Sequence, residues 1–326
     1  MSSDKILITD YAWPDLDLER ALVEAAGAEL VVAEAADPAS LAGLAADVSG
    51  ILTCWANVPA EVMAAAGRLR VVARMGIGLD NIDVSEATRR KILVTNVPDY
   101  CFSEVAEHTL ALLLSLGRKT HLYHQLTQQG RYERSVGPPL RRISGQTLGI
   151  VGLGNIGKAV ASRAMALGMK ILATRRRQSR DSGDATVDQV EFVSLDELLA
   201  RSDYVSLHAP ATPETDKLIS TRELALMKPT AYLINTSRGA LVDEPALAAA
   251  LQAGQLAGAA LDVQTVEPPD LSQPPFNDPR VLVTPHVAFY SEESLEELRR
   301  RATESVLDVL AGRRPQNVVN PEVLDG

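Results

Sequence analysis

Aromatic side chains are scarce: Phe, Trp and Tyr together make up 4% of the chain. Its interior must therefore be packed largely from Leu, Val, Ile and Ala. Cysteine is rarer still, at two residues, Cys54 and Cys101. Both sit in apolar surroundings and read as buried free thiols, the alternative being a disulfide or a catalytic thiol. No apolar run is long enough to span a bilayer, and Met1–Lys5 lacks the basic–apolar–small order of a signal peptide. A cytoplasmic location is the resulting expectation. Positive charge is outweighed, with a formal net charge of -10. That balance disfavours nonspecific attraction to nucleic acid or anionic membrane, while leaving room for a local basic pocket. What is present is ordinary globular composition, 46% hydrophobic and 23% charged over 326 residues. This is enough for two domains with sizeable cores.

The first third alternates strand-like and helix-like runs. Strands are predicted at Lys5–Thr9, Glu29–Ala33, Gly50–Thr53, Leu69–Ala73 and Ile92–Thr95, with helices at Leu16–Ala26 and Pro59–Ala66. A long helix is expected over Ser103–Gly117, where Glu104, Glu107 and His108 interrupt an otherwise apolar run. It is more apolar than a solvated helix should be, which points to a dimer contact or an interdomain element. Residues Gly117–Ser144, richer in charge and glycine, read as a bridge. A second α/β series follows, with strands at Thr147–Val151, Lys170–Thr174, Tyr204–Leu207, Ala231–Asn235, Ala259–Asp262 and Val281–Thr284. Helices intervene at Lys158–Leu167, Leu195–Ala200, Thr221–Leu226 and Glu244–Ala253. A last helix, Ser291–Leu310, is expected to rejoin the first unit, ahead of a polar tail, Gly312–Gly326. The rhythm implies parallel sheets covered on both faces. The expected domains are residues 1–98 with about 290–326, and residues 99–289.

The sequence Gly152-Leu153-Gly154-Asn155-Ile156-Gly157 lies between an apolar strand and an apolar helix. That context turns three glycines into a dinucleotide signature. Gly152 allows the tight turn, Gly154 the close approach of a pyrophosphate, and Gly157 the packing of helix on strand. The helix N-terminus offers N–H groups and partial positive charge to the phosphates. About 20 residues further on, an NAD-selective site places an acid for the ribose 2′-OH. Here the strand ends in Thr174 and runs into Arg175, Arg176 and Arg177. Arginine forms charge-assisted bonds to a 2′-phosphate, so NADP(H) is expected ahead of NAD(H), the alternative being a solvated turn. No metal site is expected.

Three segments near strand ends carry polar residues: Asn235-Thr236-Ser237-Arg238-Gly239, Asp262 with Glu267-Pro268, and Thr284-Pro285-His286. Together they offer a cation for a carboxylate and carbonyl, a histidine for proton transfer, and a carboxylate to orient that histidine. These are the parts needed to reduce a 2-oxo acid.

Over nearly its full length the chain resembles the D-isomer-specific 2-hydroxyacid dehydrogenase family. The resemblance is carried by Gly76-Ile77-Gly78-Leu79-Asp80-Asn81-Ile82-Asp83, Val105-Ala106-Glu107-His108-Thr109, the glycine turn, Asn235 to Asp243, Asp262 with Glu267-Pro268, and Thr284-Pro285-His286. It implies a flavodoxin-like substrate domain and a Rossmann-like dinucleotide-binding domain. It also implies Arg238 as the substrate-binding and polarising cation, His286 as the proton donor in reduction, and Glu267 as its partner. Backbone N–H groups around Gly76, Ile77 and Gly78 would bind the substrate carboxylate. Thr236 and Asp262 would contact the cofactor, Asp262 on its carboxamide side, and His208-Ala209-Pro210 would line the adenosine side.

Two departures stand out. Asn155 replaces an arginine common in the family, weakening one pyrophosphate contact. Phe289 replaces a glycine, and with Tyr290-Ser291-Glu292 it resembles the branch of the C-terminal-binding corepressor proteins. The leading expectation is a homodimeric enzyme reducing a 2-oxo acid, with Phe289 lining the substrate entrance. The alternative is a nucleotide-sensing protein-interaction module of the corepressor type.

Overall fold

The computed structural model describes residues 4–136, 139–174 and 186–324. The chain divides into two compact units, Met1–Tyr100 with Ser291–Gly326, and Cys101–Tyr290.

In the first unit the strands are β1 (Lys5–Ile8), β2 (Glu29–Val32), β3 (Gly50–Thr53), β4 (Val71–Arg74) and β5 (Leu93–Thr95). All pair in parallel, in the order β2-β1-β3-β4-β5, which is the flavodoxin-like order. The intervening helices are α1 (Asp17–Ala25), α2 (Pro38–Ala45), α3 (Ala60–Ala65) and α4 (Val84–Arg89). Val, Ile and Leu dominate β1, β3 and β4 because these strands are covered on both faces. One face packs Leu7, Ile51 and Val72 with Leu41, Val62 and Met63.

Across the second unit run α5 (Phe102–Arg118), α6 (Thr120–Gln128), β6 (Thr147–Val151), α7 (Asn155–Ala166), β7 (Lys170–Thr174), β8 (Glu191–Phe192), α8 (Leu195–Arg201) and β9 (Tyr204–Leu207). They are followed by α9 (Thr221–Leu226), β10 (Tyr232–Asn235), α10 (Glu244–Gln252), β11 (Gly258–Leu261) and β12 (Val281–Val283). The parallel sheet has seven strands in the order β12-β11-β10-β9-β6-β7-β8. This is the doubly wound dinucleotide-binding order, and its switch point lies between β6 and β9. Leu148 and Ile150 of β6 pack with α5 and α7, whereas Val151 joins Leu198, Val205 and Leu247 on the other face.

The last helix, α11 (Glu292–Leu310), belongs to the first unit. Its Val306 comes so close to β3 that a Cβ on Gly50 would lie 2.5 Å from Val306 Cγ1. Arg299 donates from Nε and Nη2 to the buried Glu19 of α1, at 2.8 and 2.7 Å. Its guanidinium also covers the Trp13 ring, 5.4 Å from the centroid.

Three parts of the expected organisation are corrected. The bridge over Gly117–Ser144 contains α6. The run Gly312–Gly326 is not simply a polar tail: Thr95 bridges to Val318, and buried Asn320 accepts the Val94 N–H at 2.8 Å. Helices α2 and α4 were not anticipated; Asp37 and Asp83 cap them by accepting the N–H groups of Ser40 and Glu86. Cys54 and Cys101 are buried thiols, and burial pushes the Cys54 thiol up to about 12.

Candidate active site

Parallel pairing sends the carboxyl ends of β6, β7, β9, β10, β11 and β12 to one edge of the second sheet. Every expected site residue of this unit that is described stands on or just beyond one of those ends.

After β6, Gly152 has φ +97°, and a Cβ there would lie 2.5 Å from the His208 carbonyl oxygen. A Cβ on Gly157 would strike the Gly152 carbonyl oxygen. Both positions are glycine because the protein's own backbone fills the space. Gly154 differs: a Cβ there would meet nothing within 4 Å. Helix α7 begins beside this open space, with Gly154 at its N-cap and no side-chain cap. The first-turn N–H groups of Asn155, Ile156 and Gly157 are those a helix cannot satisfy internally, and they lie at its positive end.

Across the switch point, Nδ1 of His208 is buried and finds no hydrogen-bond partner among the described residues. Its Nε2 lies 2.8 Å from Ser206 Oγ. Burial pushes the imidazole down to about 4, so it is neutral at ordinary pH. Ala209 and the exposed Pro210 follow. Thr174 closes β7 and its carbonyl accepts the Gly152 N–H at 3.0 Å. An uncapped helix end, open space over Gly154 and an orphaned buried ring nitrogen suit a dinucleotide. Arg175 and Arg176 lie outside the described residues.

The loop after β10 is held by Asn235, which accepts the Ser237 N–H at 3.0 Å and donates to the Arg238 carbonyl at 2.8 Å. Arg238 donates from Nη1 to the Ser237 carbonyl at 2.8 Å. Gly239 then passes so near the 262–267 loop that a Cβ would collide with the backbone of Gln264. Gln264 in turn donates its N–H to Glu267 Oε1 at 3.0 Å. Glu267 Oε2 lies 2.7 Å from Nδ1 of His286. Burial pushes the Glu267 carboxyl up, but the hydrogen bond and charge of His286 outweigh it and hold the group below its ordinary range. Phe289 stands edge-on to the His286 ring, with centroids 6.2 Å apart.

His286 has φ +50°, the left-handed region that non-glycine residues seldom occupy. Asp262 holds it there. The Asp262 carbonyl accepts the His286 N–H at 2.8 Å. Its carboxylate accepts the N–H groups of Val287 and Ala288 at 3.0 and 2.9 Å, and the Thr284 hydroxyl at 2.5 Å. Burial pushes this carboxyl up, and the hydrogen bonds from His108, Thr284 and the two N–H groups more than reverse it. Asp262 is 0% exposed. Its described carboxylate partners anchor the loop that carries His286.

Sequence reasoning missed Gln264, which links Gly239 to Glu267, and gave no role to Thr284, His108 or Thr109. Thr109 Oγ1 lies 2.9 Å from Thr236 Oγ1, and both residues are buried. The available signal was the polar interruption of the apolar run in α5. In the first unit, Gly76 has φ +151° and a Cβ there would strike the Arg74 guanidinium. Asn96 donates to the Ile77 carbonyl at 2.9 Å, and Gly78 follows the bend formed by residues 75–77.

Residues 110–288 match the pattern described as "D-isomer specific 2-hydroxyacid dehydrogenase, NAD binding domain". The chain is 40% identical to a glyoxylate reductase of Korarchaeum cryptofilum over 82% of this chain and 81% of that protein. It is similar to a D-lactate dehydrogenase from Aquifex aeolicus solved with NAD and lactic acid. That match has TM-score 0.87 and 28% identity, covering 97% of this chain and 99% of the other. An NADPH-dependent glyoxylate/hydroxypyruvate reductase from Sinorhizobium meliloti, solved with NADP and malonate, matches with TM-score 0.84 and 33% identity. There the coverage is 98% of this chain and 97% of the other.

Proposed function

Because the chain belongs to the D-isomer-specific 2-hydroxyacid dehydrogenase family, we propose that it interconverts a 2-oxo acid and its D-2-hydroxy acid, using NADP(H) ahead of NAD(H). The observation that carries the mechanism is the 2.7 Å contact between Glu267 and Nδ1 of His286. When bound, the dinucleotide supplies hydride to C2 in reduction and accepts it in oxidation. The first-turn N–H groups of Asn155, Ile156 and Gly157 would hold its pyrophosphate over Gly154. His208, Ala209 and Pro210 would border the adenosine, Thr236 would contact the cofactor on the catalytic side, and Thr174, Arg175 and Arg176 would bind the 2′-phosphate.

In reduction, Arg238 stabilises the negative charge that grows on the carbonyl oxygen. His286 gives that oxygen a proton from Nε2 while Nδ1 stays on Glu267. Glu267, its carboxyl held below the ordinary range and so ionised at neutral pH, fixes the orientation of the ring it touches. Phe289 borders the proton donor and would favour a 2-oxo acid with an apolar substituent over glyoxylate. A homodimer in the cytoplasm is part of the same reading.

The test is turnover of glyoxylate, hydroxypyruvate, pyruvate and 2-oxo-4-methylpentanoate with NADH and with NADPH, for the wild type and His286→Ala. Loss of the proton donor should lower kcat by roughly 100- to 10,000-fold and leave cofactor binding, read by nucleotide fluorescence, unchanged. Near-normal turnover in His286→Ala would overturn the assignment. Wild-type protein that binds nucleotide but turns over none of these acids would favour the interaction-module reading.

A further inference from the structure

The geometry points to helix α5 as the element that sets both reacting side chains, with His108 and Thr109 as positioning residues. The inference rests on the proposed roles of His286 and Arg238. Each of these adjacent helix residues hydrogen-bonds a threonine two positions before one of the pair. His108 Nε2 lies 3.0 Å from Oγ1 of Thr284, which precedes His286. Thr109 Oγ1 lies 2.9 Å from Oγ1 of Thr236, which precedes Arg238.

Counting hydrogens assigns a direction to each contact. The single hydroxyl proton of Thr284 goes to Asp262 Oδ1, at 2.5 Å, because an ionised carboxylate can only accept. Thr284 therefore accepts from His108, whose Nε2 must carry a hydrogen. The same nitrogen is 3.4 Å from Asp262 Oδ1. Thr109 donates its own proton to the Val105 carbonyl at 2.7 Å. It therefore accepts from Thr236, whose hydroxyl is the donor.

The two contacts act on different loops. His108 and Thr284 complete the shell around Asp262, which binds the N–H groups of His286, Val287 and Ala288. A left-handed non-glycine residue such as His286 persists only where its surroundings hold it. Thr236 lies inside the turn closed by Asn235, so anchoring its side chain fixes the path of the backbone to Arg238. A 17-residue helix with Leu112, Leu113 and Leu116 buried is a rigid mount for both, and a shift of about 1 Å at a reacting group lowers a rate substantially.

Four variants test this: His108→Leu and Thr109→Val, which remove the polar contact, and His108→Gln and Thr109→Ser, which keep it. A glutamine amide nitrogen occupies nearly the place of Nε2. Each of the first two should lower kcat by roughly three- to tenfold, the worth of one hydrogen bond, with melting temperature and cofactor Kd held. The conservative pair should restore kcat to within about twofold of wild type. Unchanged kcat in the first pair, equal impairment in all four, or a loss matched by lower melting temperature or weaker cofactor binding would overturn the inference. His286→Ala, assayed alongside, separates the two levels. If it alone is inactive, the positioning role fails and the proposed function stands; if it is active, both fail. A readout that needs no substrate is the tautomer of His108 in 15N-labelled protein. Nε2 should carry the proton, and a bare Nε2 would overturn the inference by itself.

Discussion

Glu267 Oε2 lies 2.7 Å from Nδ1 of His286, and Glu267 Oε1 accepts the Gln264 N–H at 3.0 Å. Both carboxylate oxygens are thus occupied, and in the proposed mechanism the other ring nitrogen, Nε2, is the one that exchanges a proton with the reactant. Gln264 is also the residue against which Gly239 packs, so the Arg238 turn and the Glu267–His286 pair share one backbone support.

Glu267→Gln keeps the shape of this contact and removes its charge. The ring then keeps its contact but loses the charged partner that orients it. At neutral pH kcat should fall by about tenfold. The pH dependence of stability comes from the Glu267 carboxyl itself. A carboxyl held below its ordinary value of 4.5 contributes stability that is present above that value. The contribution is lost as pH falls through the lower folded value, and the variant should lack this acid-dependent part. Neutral-pH kcat and the urea midpoint as a function of pH, measured for both proteins, check the pairing; equal values throughout would sink it.

Gly239→Ala should damage both stability and catalysis. The added Cβ would collide with Gln264 backbone, which cannot rotate aside, and overpacking of this kind costs about 1–3 kcal/mol. Urea unfolding and kcat measured on the same preparation should show both losses. A variant with wild-type values would mean that the 235–239 and 262–267 loops are not in this close contact.

His208, pushed from 6.5 down to about 4 by burial, makes the fold acid-sensitive in a defined window. The unfolded chain binds a proton below 6.5 that the folded imidazole refuses until about pH 4. Its contribution to stability is therefore present above 6.5 and declines as pH falls towards 4. Over that window the loss is roughly 3 kcal/mol. His208→Gln should flatten the corresponding part of a plot of urea midpoint against pH. An equal slope in variant and wild type would show that other groups carry the effect.

Arg175→Asp tests the cofactor preference. Charge-assisted bonds to a 2′-phosphate are worth roughly 1.5–3 kcal/mol, about tenfold or more in kcat/KM. Wild type should therefore favour NADPH, and the variant, with a donor removed and a repulsive charge added, should favour NADH. Ratios measured at matched substrate and salt decide it. A wild-type preference for NADH would place the arginines elsewhere and leave the dehydrogenase assignment intact.

What was legible in the sequence had local causes. The glycine turn is set by three positions within six residues, and the two roles of glycine there, packing at Gly152 and Gly157 and open space at Gly154, follow from its context. Most strands could be read because a two-sided parallel sheet demands continuous Val, Ile and Leu. Helix α6 escaped because Thr120–Gln128 is polar and buries only Leu126. Helix α2 was hidden behind Pro38, which a first helical turn accepts. Strand β8 is two exposed residues, too short for any pattern.

By itself, then, the sequence determined the order of elements, the cofactor turn and the kinds of reacting group, because periodicity, capping and glycine geometry act over a few residues. Only the tertiary structure decided which atoms meet. Glu267 reaches His286 because β11 and β12 are neighbours in the sheet, and Thr109 reaches Thr236 because α5 lies against that sheet. The partners of the Asp262 carboxylate and the tautomer required of His108 have the same origin. Strand order and helix docking are set by long-range packing of apolar faces, and no short stretch of sequence carries that information.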